Sequence, residues 1–322
     1  MNTASQPHRG ARPHSSQATA DARAYAEAAR RSAGRVIDSY STSFGSATRL
    51  LAPPVRSRVR TVYALVRVAD EIVDGAAEGC GLNPDQIARA LDDYEQRTEQ
   101  AIQDGFSSDL VVHAFARTAR SCGIGTELTR PFFASMRADL SVSEHDEKSF
   151  DDYVYGSAEV VGLMCLHVFA TDRSPVPVAP SDQLLDGARR LGAAFQKVNF
   201  LRDLRADAVG RGRSYFPGVD PAALTDADKD HLLSDIRADL AAAQETIPQL
   251  PASSRTAVRA VHDLFAALAD RLAAASADDL RRTRIRVPEA AKAAIIAWAV
   301  LDERRPGSSR TGLRRTGSWR RH

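Results

Sequence analysis

The sequence predicts an all-α protein, a single domain of many helices. Three observations lead there. From Asp21 onward apolar residues recur at spacings of three and four, as in Leu91–Tyr94 and the run Leu264, Leu268, Leu272. No series of alternating β-branched strands and no glycine-rich strand-to-helix turn breaks that pattern. The interruptions are short and rich in Pro and Gly, as expected of connections between helices.

Along the chain, Met1 to about Thr19 is rich in Ser, Pro, His, Gln and Gly without apolar periodicity, so residues 1–20 are expected to be disordered. Residues 21–303 form the helical domain. Within it, loop signals fall at Ala52–Pro54, Gly79–Pro84, Gly123–Gly125, Ser174–Pro180 and Gly218–Pro221. Pro288 is expected at the opening of the last helix, close to its first turn. Residues 304–322 hold seven arginines and no acidic residue, and read as a solvated basic tail. No repeat of solenoid period is visible.

Bulk composition narrows the function classes. The chain has a formal net charge of +2, so no global field points to nucleic acid. The longest apolar stretches, 160–170 and 293–301, are shorter than the roughly 20 residues a bilayer span needs. The amino terminus lacks the apolar core of a signal peptide. Cys80, Cys122 and Cys165 have neither metal-ligand spacing nor secretory context, and are read as free thiols of a reducing cytoplasm. The expectation is a cytoplasmic protein with no obligate protein partner and an inert solvated tail, peripheral contact of that basic tail with the inner face of the membrane being the alternative.

The chemistry lies in two carboxylate pairs of the form Asp-x-x-x-Asp. Asp70 and Asp74 close the segment that begins at Tyr63 and includes Arg67; Asp203 and Asp207 close the one that begins at Gln196 and includes Asn199 and Arg202. On a helix, residues four apart share a face. Tyr63, Arg67, Asp70 and Asp74 then fall within an arc of roughly 60°, and Gln196, Asn199, Asp203 and Asp207 within about 80°. The rest of the first segment is apolar nearly all round, which suits a buried helix lining a cavity rather than a solvated amphipathic helix. One such pair is ordinary helix surface. Two of them, in apolar surroundings, call for counter-charge. Oxygen ligands without His or Cys favour Mg²⁺, Mn²⁺ or Ca²⁺ over Zn²⁺. Mg²⁺ keeps positions for water or substrate phosphate, so a diphosphate is the natural partner. Arg67, Arg202 and the loop Gly210–Tyr215, with Arg213, lie beside the stripes and suit phosphate oxygens; pairing with the aspartates themselves is the other reading of these arginines.

These segments together resemble one family, the squalene and phytoene synthases. The likeness runs from about Arg35 to Val287. It comprises Tyr40-Ser-Thr-Ser43-Phe44, Tyr63 to Asp74, Tyr153-Val-Tyr-Gly-Ser-Ala158-Glu-Val-Val-Gly162, Gln196 to Pro217 and, weakly, Arg284-Ile-Arg286-Val. The segment after Tyr155 is most similar to bacterial phytoene synthases. The resemblance implies an isoprenoid synthase fold with a central cavity, in which Asp70, Asp74, Asn199, Asp203 and Asp207 hold Mg²⁺. Ser43, Phe44, Arg67, Ala158, Gly162, Gln196, Asn199, Arg202, Arg213 and Tyr215 would bind two prenyl diphosphates. Besides the four aspartates, Tyr40, Tyr63 and Tyr153 are candidate catalytic groups, by cation stabilisation or proton transfer, although buried structural tyrosines would look the same. The small residues Gly156, Ala158 and Gly162 either leave room for long chains or let helices pack closely.

The implied activity is head-to-head condensation of two geranylgeranyl diphosphates to phytoene through a cyclopropyl diphosphate, without NADPH. Alternatives are a thirty-carbon synthase acting on farnesyl diphosphate, a terpene cyclase and a non-catalytic protein of the same fold. The second block departs from many relatives at Ala206, where they carry an acidic residue, and Tyr40 stands where some have His.

Overall fold

The computed structural model of this protein describes residues 16–40 and 43–303. Among them there is no strand, only an isolated bridge between Glu144 and Ser214. The all-α expectation therefore holds. The segments expected to be disordered at the two ends fall mostly outside the described residues, and the first helix begins at Ser16.

The first half comprises α1 (Ser16–Tyr40), α2 (Ser43–Thr48), α3 (Pro53–Val73), α4 (Ala76–Gly79), α5 (Pro84–Asp104), α6 (Leu110–Cys122), α7 (Thr126–Ala138) and α8 (Glu147–Val154). Local chemistry sets their starts. Pro53 and Pro54 open α3, where a missing N–H costs nothing. Asn83 and Gln86 form a capping box on α5, and the Asp109 carboxylate accepts from Val111 and Val112 at the head of α6. In α3 the buried positions Val55, Val59, Val62, Leu65 and Ala69 repeat at three and four, so the helix is held by its packing.

A π-helical turn, Tyr155–Glu159, joins α8 to α9 (Val160–Ala170) as one continuous helix, 147–170. That helix is long and apolar enough to cross a membrane by length and composition, which the apolar run 160–170 alone did not suggest. Here it is a core helix: Val160, Leu163, Met164, Leu166 and Val168 are all buried. Gly156 lets it approach α7, since a Cβ at that position would lie 2.2 Å from the Pro131 carbonyl oxygen.

The second half is α10 (Asp182–Arg205), which ends in a further π-helical turn over Ala206–Arg211, followed by α11 (Asp226–Thr246), α12 (Ala252–Ala274), α13 (Ala277–Arg282) and α14 (Glu289–Glu303). Pro288 directly precedes α14, and the five loop signals fall between helices or at their ends. Two apolar clusters result. One joins α3, α5, α6, α7 and α9; the other joins α8, α10, α11, α12 and α13. Between them lies a cavity of about 270 Å³, bounded by α3, α9, α10, α11 and α12.

Candidate active site

Both aspartate pairs sit at the carboxy-terminal ends of long helices, α3 and α10, whose earlier turns wall the cavity. Val66, one turn before Asp70, and Gln196, one turn or two before Asn199 and Asp203, both line it. The lining continues along α10 through Phe195, Gly192, Ala188 and Leu184 to a floor formed with Phe169 and Leu250. From Asp203 back to Leu184 is roughly 28 Å of helix. A polar mouth and a deep apolar shaft are thus built from the same helices. Ala158 and Gly162 line the shaft, as a cavity role requires. Gly162 also permits close packing, because a Cβ there would lie 2.7 Å from the Ala188 carbonyl oxygen. Both readings of the small-residue segment are realised, at different atoms.

At the mouth, arginines hold the carboxylates. Arg213 is swung back from the second block by Gly212, whose φ of +64° suits glycine. Its Nη1 is 3.3 Å from Asp74 and 3.2 Å from Asp139, and its Nη2 donates to the Asp139 carbonyl oxygen at 2.8 Å. This one side chain ties the second block to the first. Asp203 is held from two sides, by Arg202 (Nε to Oδ1, 3.0 Å) and by Arg284 (Nε to Oδ1, 2.6 Å). Arg67 pairs with Glu71 and lies over the ring of exposed Tyr40, 4.6 Å from its centroid. So Arg67 and Tyr40 meet each other rather than an aspartate.

Asp70 differs from the other members of its block. No basic group lies within ion-pairing distance of it among the described residues, and burial, then the neighbouring Asp74, pushes its pKa up to about 7. A carboxylate strained in this way has strong need of a cation. The Tyr153 hydroxyl, in contrast, is satisfied: it donates to Asp139, 2.8 and 3.0 Å from the two oxygens, and burial followed by that carboxylate holds the phenol well above its usual pKa. Tyr215 is stacked on Phe200 with ring centroids 3.9 Å apart, and accepts from Arg213 at 3.3 Å. Asp207 is buried within the π-helical turn, its backbone carbonyl accepting from Arg213 N at 3.1 Å. Tyr63 lies one turn before Arg67 on α3, half-buried, and Asn199 is half-buried on α10. The side chains of Ser43 and Phe44 lie outside the described residues.

Sequence reasoning missed Asp139 and gave Arg284 little weight. A signal for Asp139 existed: it caps the carboxy terminus of α7, where an acidic group opposes the helix dipole and so needs another reason to be there. His145 was also missed. Its ring lies 5.0 Å from that of Tyr153, and its Nδ1 is buried without a hydrogen-bond partner.

The donor set suits hard cations, being carboxylates and an amide oxygen. Among the described residues, however, no group of three or more acidic, His or Cys side chains is assembled to hold a metal. Asp74 and Asp203 are drawn towards arginines instead, so the arginine-pairing reading of Arg202 and Arg213 is realised here.

Comparison with known proteins agrees with this geometry. The family described as squalene/phytoene synthase matches residues 37–291. A chloroplastic phytoene synthase 3 of Zea mays is 36% identical over 201 residues, covering 61% of this chain and 44% of that protein. Phytoene synthase 1 of Arabidopsis thaliana is 33% identical over 201 residues, 61% of this chain and 45% of that protein. The chain thus spans about half the length of the curated relatives it matches. Among solved structures, a dehydrosqualene synthase in complex with a ligand superposes with a TM-score of 0.71 at 20% identity, covering 86% of this chain and 96% of that one. A squalene synthase from Alicyclobacillus acidocaldarius gives 0.64 at 18% identity, covering 76% and 93%.

Proposed function

The chain belongs to the squalene/phytoene synthase family, and from that premise we propose that it condenses two molecules of geranylgeranyl diphosphate head to head into phytoene. The single observation that carries the proposal is the joint construction of mouth and shaft. Helices α3 and α10 present carboxylates and arginines at one end and an apolar cavity along the rest. A prenyl diphosphate has the same division, with a charged head on an apolar chain.

Asp70, Asp74, Asn199, Asp203 and Asp207 would hold divalent cations, most suitably Mg²⁺ with Mn²⁺ as a substitute. When bound, such ions supply the positive charge that stabilises a departing diphosphate. The protein's own contribution is distinct. Arg67, Arg202, Arg213 and Arg284 change partners, from carboxylates to diphosphate oxygens, as negative charge enters the mouth. One substrate loses diphosphate, and its allylic carbon bonds to the double bond of the second, with loss of a proton, to give a cyclopropyl diphosphate. That intermediate loses the second diphosphate, rearranges and releases a proton to give the hydrocarbon. No reductant is consumed. The shaft walls exclude the water that would capture a carbocation. Tyr40 and Tyr63, beside Arg67, and Tyr153, beside Asp139, are the candidate groups for stabilising or deprotonating cations. Cytoplasmic location, supported by the free cysteines, is part of the same proposal.

The test is product analysis. Purified protein is incubated with Mg²⁺ and either geranylgeranyl or farnesyl diphosphate, without NADPH, and the extract is read by mass spectrometry. Phytoene from the longer substrate is expected. A thirty-carbon product from farnesyl diphosphate alone would move the assignment to a dehydrosqualene synthase, and no product from either would overturn the enzymatic reading.

A further inference from the structure

The first turns of α3 have two faces. Val55 and Val59 are buried, and Val59 lines the cavity. Arg56, Ser57 and Arg58, between them in sequence, and Arg60, just after, face a surface groove on the other side, closed by α1 and α6. Arg23, Arg30, Arg58 and Arg117 line its first part. Arg31, Arg35, Arg56 and Arg60 line the second, and Arg30 and Ser57 belong to both. Against these eight arginines the lining offers two acidic residues, Glu27 and Asp38. Glu27 is taken by Arg30 and Arg31, and Asp38 by Arg60. The guanidinium groups of Arg23, Arg35, Arg56 and Arg117 have no ion-pair or hydrogen-bond partner among the described residues. None of these residues belongs to the mouth of the cavity.

We propose that this groove docks the protein onto an anionic phospholipid bilayer. Guanidinium groups bind phosphate oxygens in a planar fork, and unpaired ones have the most to gain. From Arg23 to Arg35 the array runs roughly 18 Å along α1, an extent suited to a field of phosphates rather than one small anion. A single-stranded nucleic acid would fit the charge, but no aromatic side chain lines the groove for bases to stack on. The position has a purpose too. The same turns of α3 that carry the groove wall the cavity near Leu51 and Val59, so docking holds the apolar shaft beside the membrane. This last link rests on the proposed hydrocarbon product; the docking surface itself does not.

The test is co-sedimentation of the full-length protein with phosphatidylcholine vesicles, plain or containing phosphatidylglycerol. Binding is expected only with phosphatidylglycerol, and should weaken at high salt. The variant R23Q/R35Q/R56Q/R117Q removes only unpaired charges, so its circular dichroism melt is expected to match the parent. Its vesicle affinity should fall at least about 100-fold. The proposal is overturned if the parent ignores phosphatidylglycerol, if the variant binds as well as the parent (the arginines after residue 303 then being responsible), or if a single-stranded oligonucleotide is retained while vesicles are not. Turnover of both proteins in detergent micelles separates the two ideas. Vesicle binding without hydrocarbon leaves the docking surface standing and sinks the proposed activity. Equal turnover in micelles with vesicle binding lost in the variant supports both.

Discussion

Arg213 and Asp139 hold the candidate site together across 74 residues of sequence: the guanidinium reaches both the carboxylate, at 3.2 Å, and the backbone carbonyl, at 2.8 Å, of the same aspartate. Because Arg213 also contacts Asp74, one cation is shared between α3, the end of α7 and the loop after α10. Burial disfavours its charge, yet Asp139 and the hydroxyl of Tyr215 keep its pKa above the ordinary arginine value.

Removing that cation should take one counter-charge from each of two acidic groups, Asp74 and Asp139. Arg213→Ala is expected to destabilise the protein by about 3 kcal/mol at neutral pH in urea unfolding. Adding Asp139→Asn should recover part of the loss, as a double-mutant cycle would register. Strict additivity of the two substitutions would show that the contact is energetically idle. Arg213→Lys should rescue poorly, because an ammonium cannot span both contacts.

Asp70 leads to a pH-dependent prediction. Its folded-state pKa of about 7 lies above the ordinary value of 3.8. Between those values the folded protein retains a proton that the unfolded chain has released, so stability is lost as pH rises through this window. Without divalent cations, Asp70→Asn should therefore be more stable than the parent at pH 8, with the advantage shrinking towards pH 4. Hydrocarbon formation should be nearly abolished in the same variant. Chemical denaturation at the two pH values decides it, and an equal difference at both would contradict the buried-charge account. Mg²⁺ should raise the melting temperature of the parent more than that of the variant.

Tyr153→Phe keeps the ring packing against Phe200, Tyr215 and His145 but removes the donor to Asp139. The expected stability cost is about 1–3 kcal/mol, since a buried acceptor loses a hydrogen bond. A drop in turnover far beyond what this change in folded population explains, measured well below the melting temperature, would mark the hydroxyl as a participant in the chemistry. Turnover close to that of the parent would make Tyr153 a structural support.

The small residues of the α8–α9 helix should separate by role. Gly156→Ala places a methyl group against the Pro131 carbonyl and Ser135, and is expected to cost about 1–3 kcal/mol in stability. Ala158→Leu projects into the shaft, so it should impair geranylgeranyl diphosphate more than farnesyl diphosphate in kcat/KM at little cost in melting temperature. Equal loss with both substrates would assign Ala158 to packing.

The helical class, the loop positions and the two aspartate stripes are legible in the amino-acid order alone. Each of these is local: periodicity, capping residues, Pro and Gly act within a few positions of themselves. The two blocks and the loop carrying Arg213 could be read because their residues follow helical spacing or adjoin it, whereas Tyr153 is reached through the family resemblance. Tertiary structure alone decided which charges meet. Nothing near Asp139 in sequence announces Arg213, nothing near Asp203 announces Arg284, and Arg67 turns to Glu71 and Tyr40 rather than to Asp70. It also decided that Gly156 serves a helix contact while Ala158 faces the cavity, two positions apart. The arginine groove is of the same kind, because its members come from three helices and no single stretch of chain carries the charge. Helix formation is settled by near neighbours, whereas ion pairing and burial depend on groups that only chain folding brings within reach.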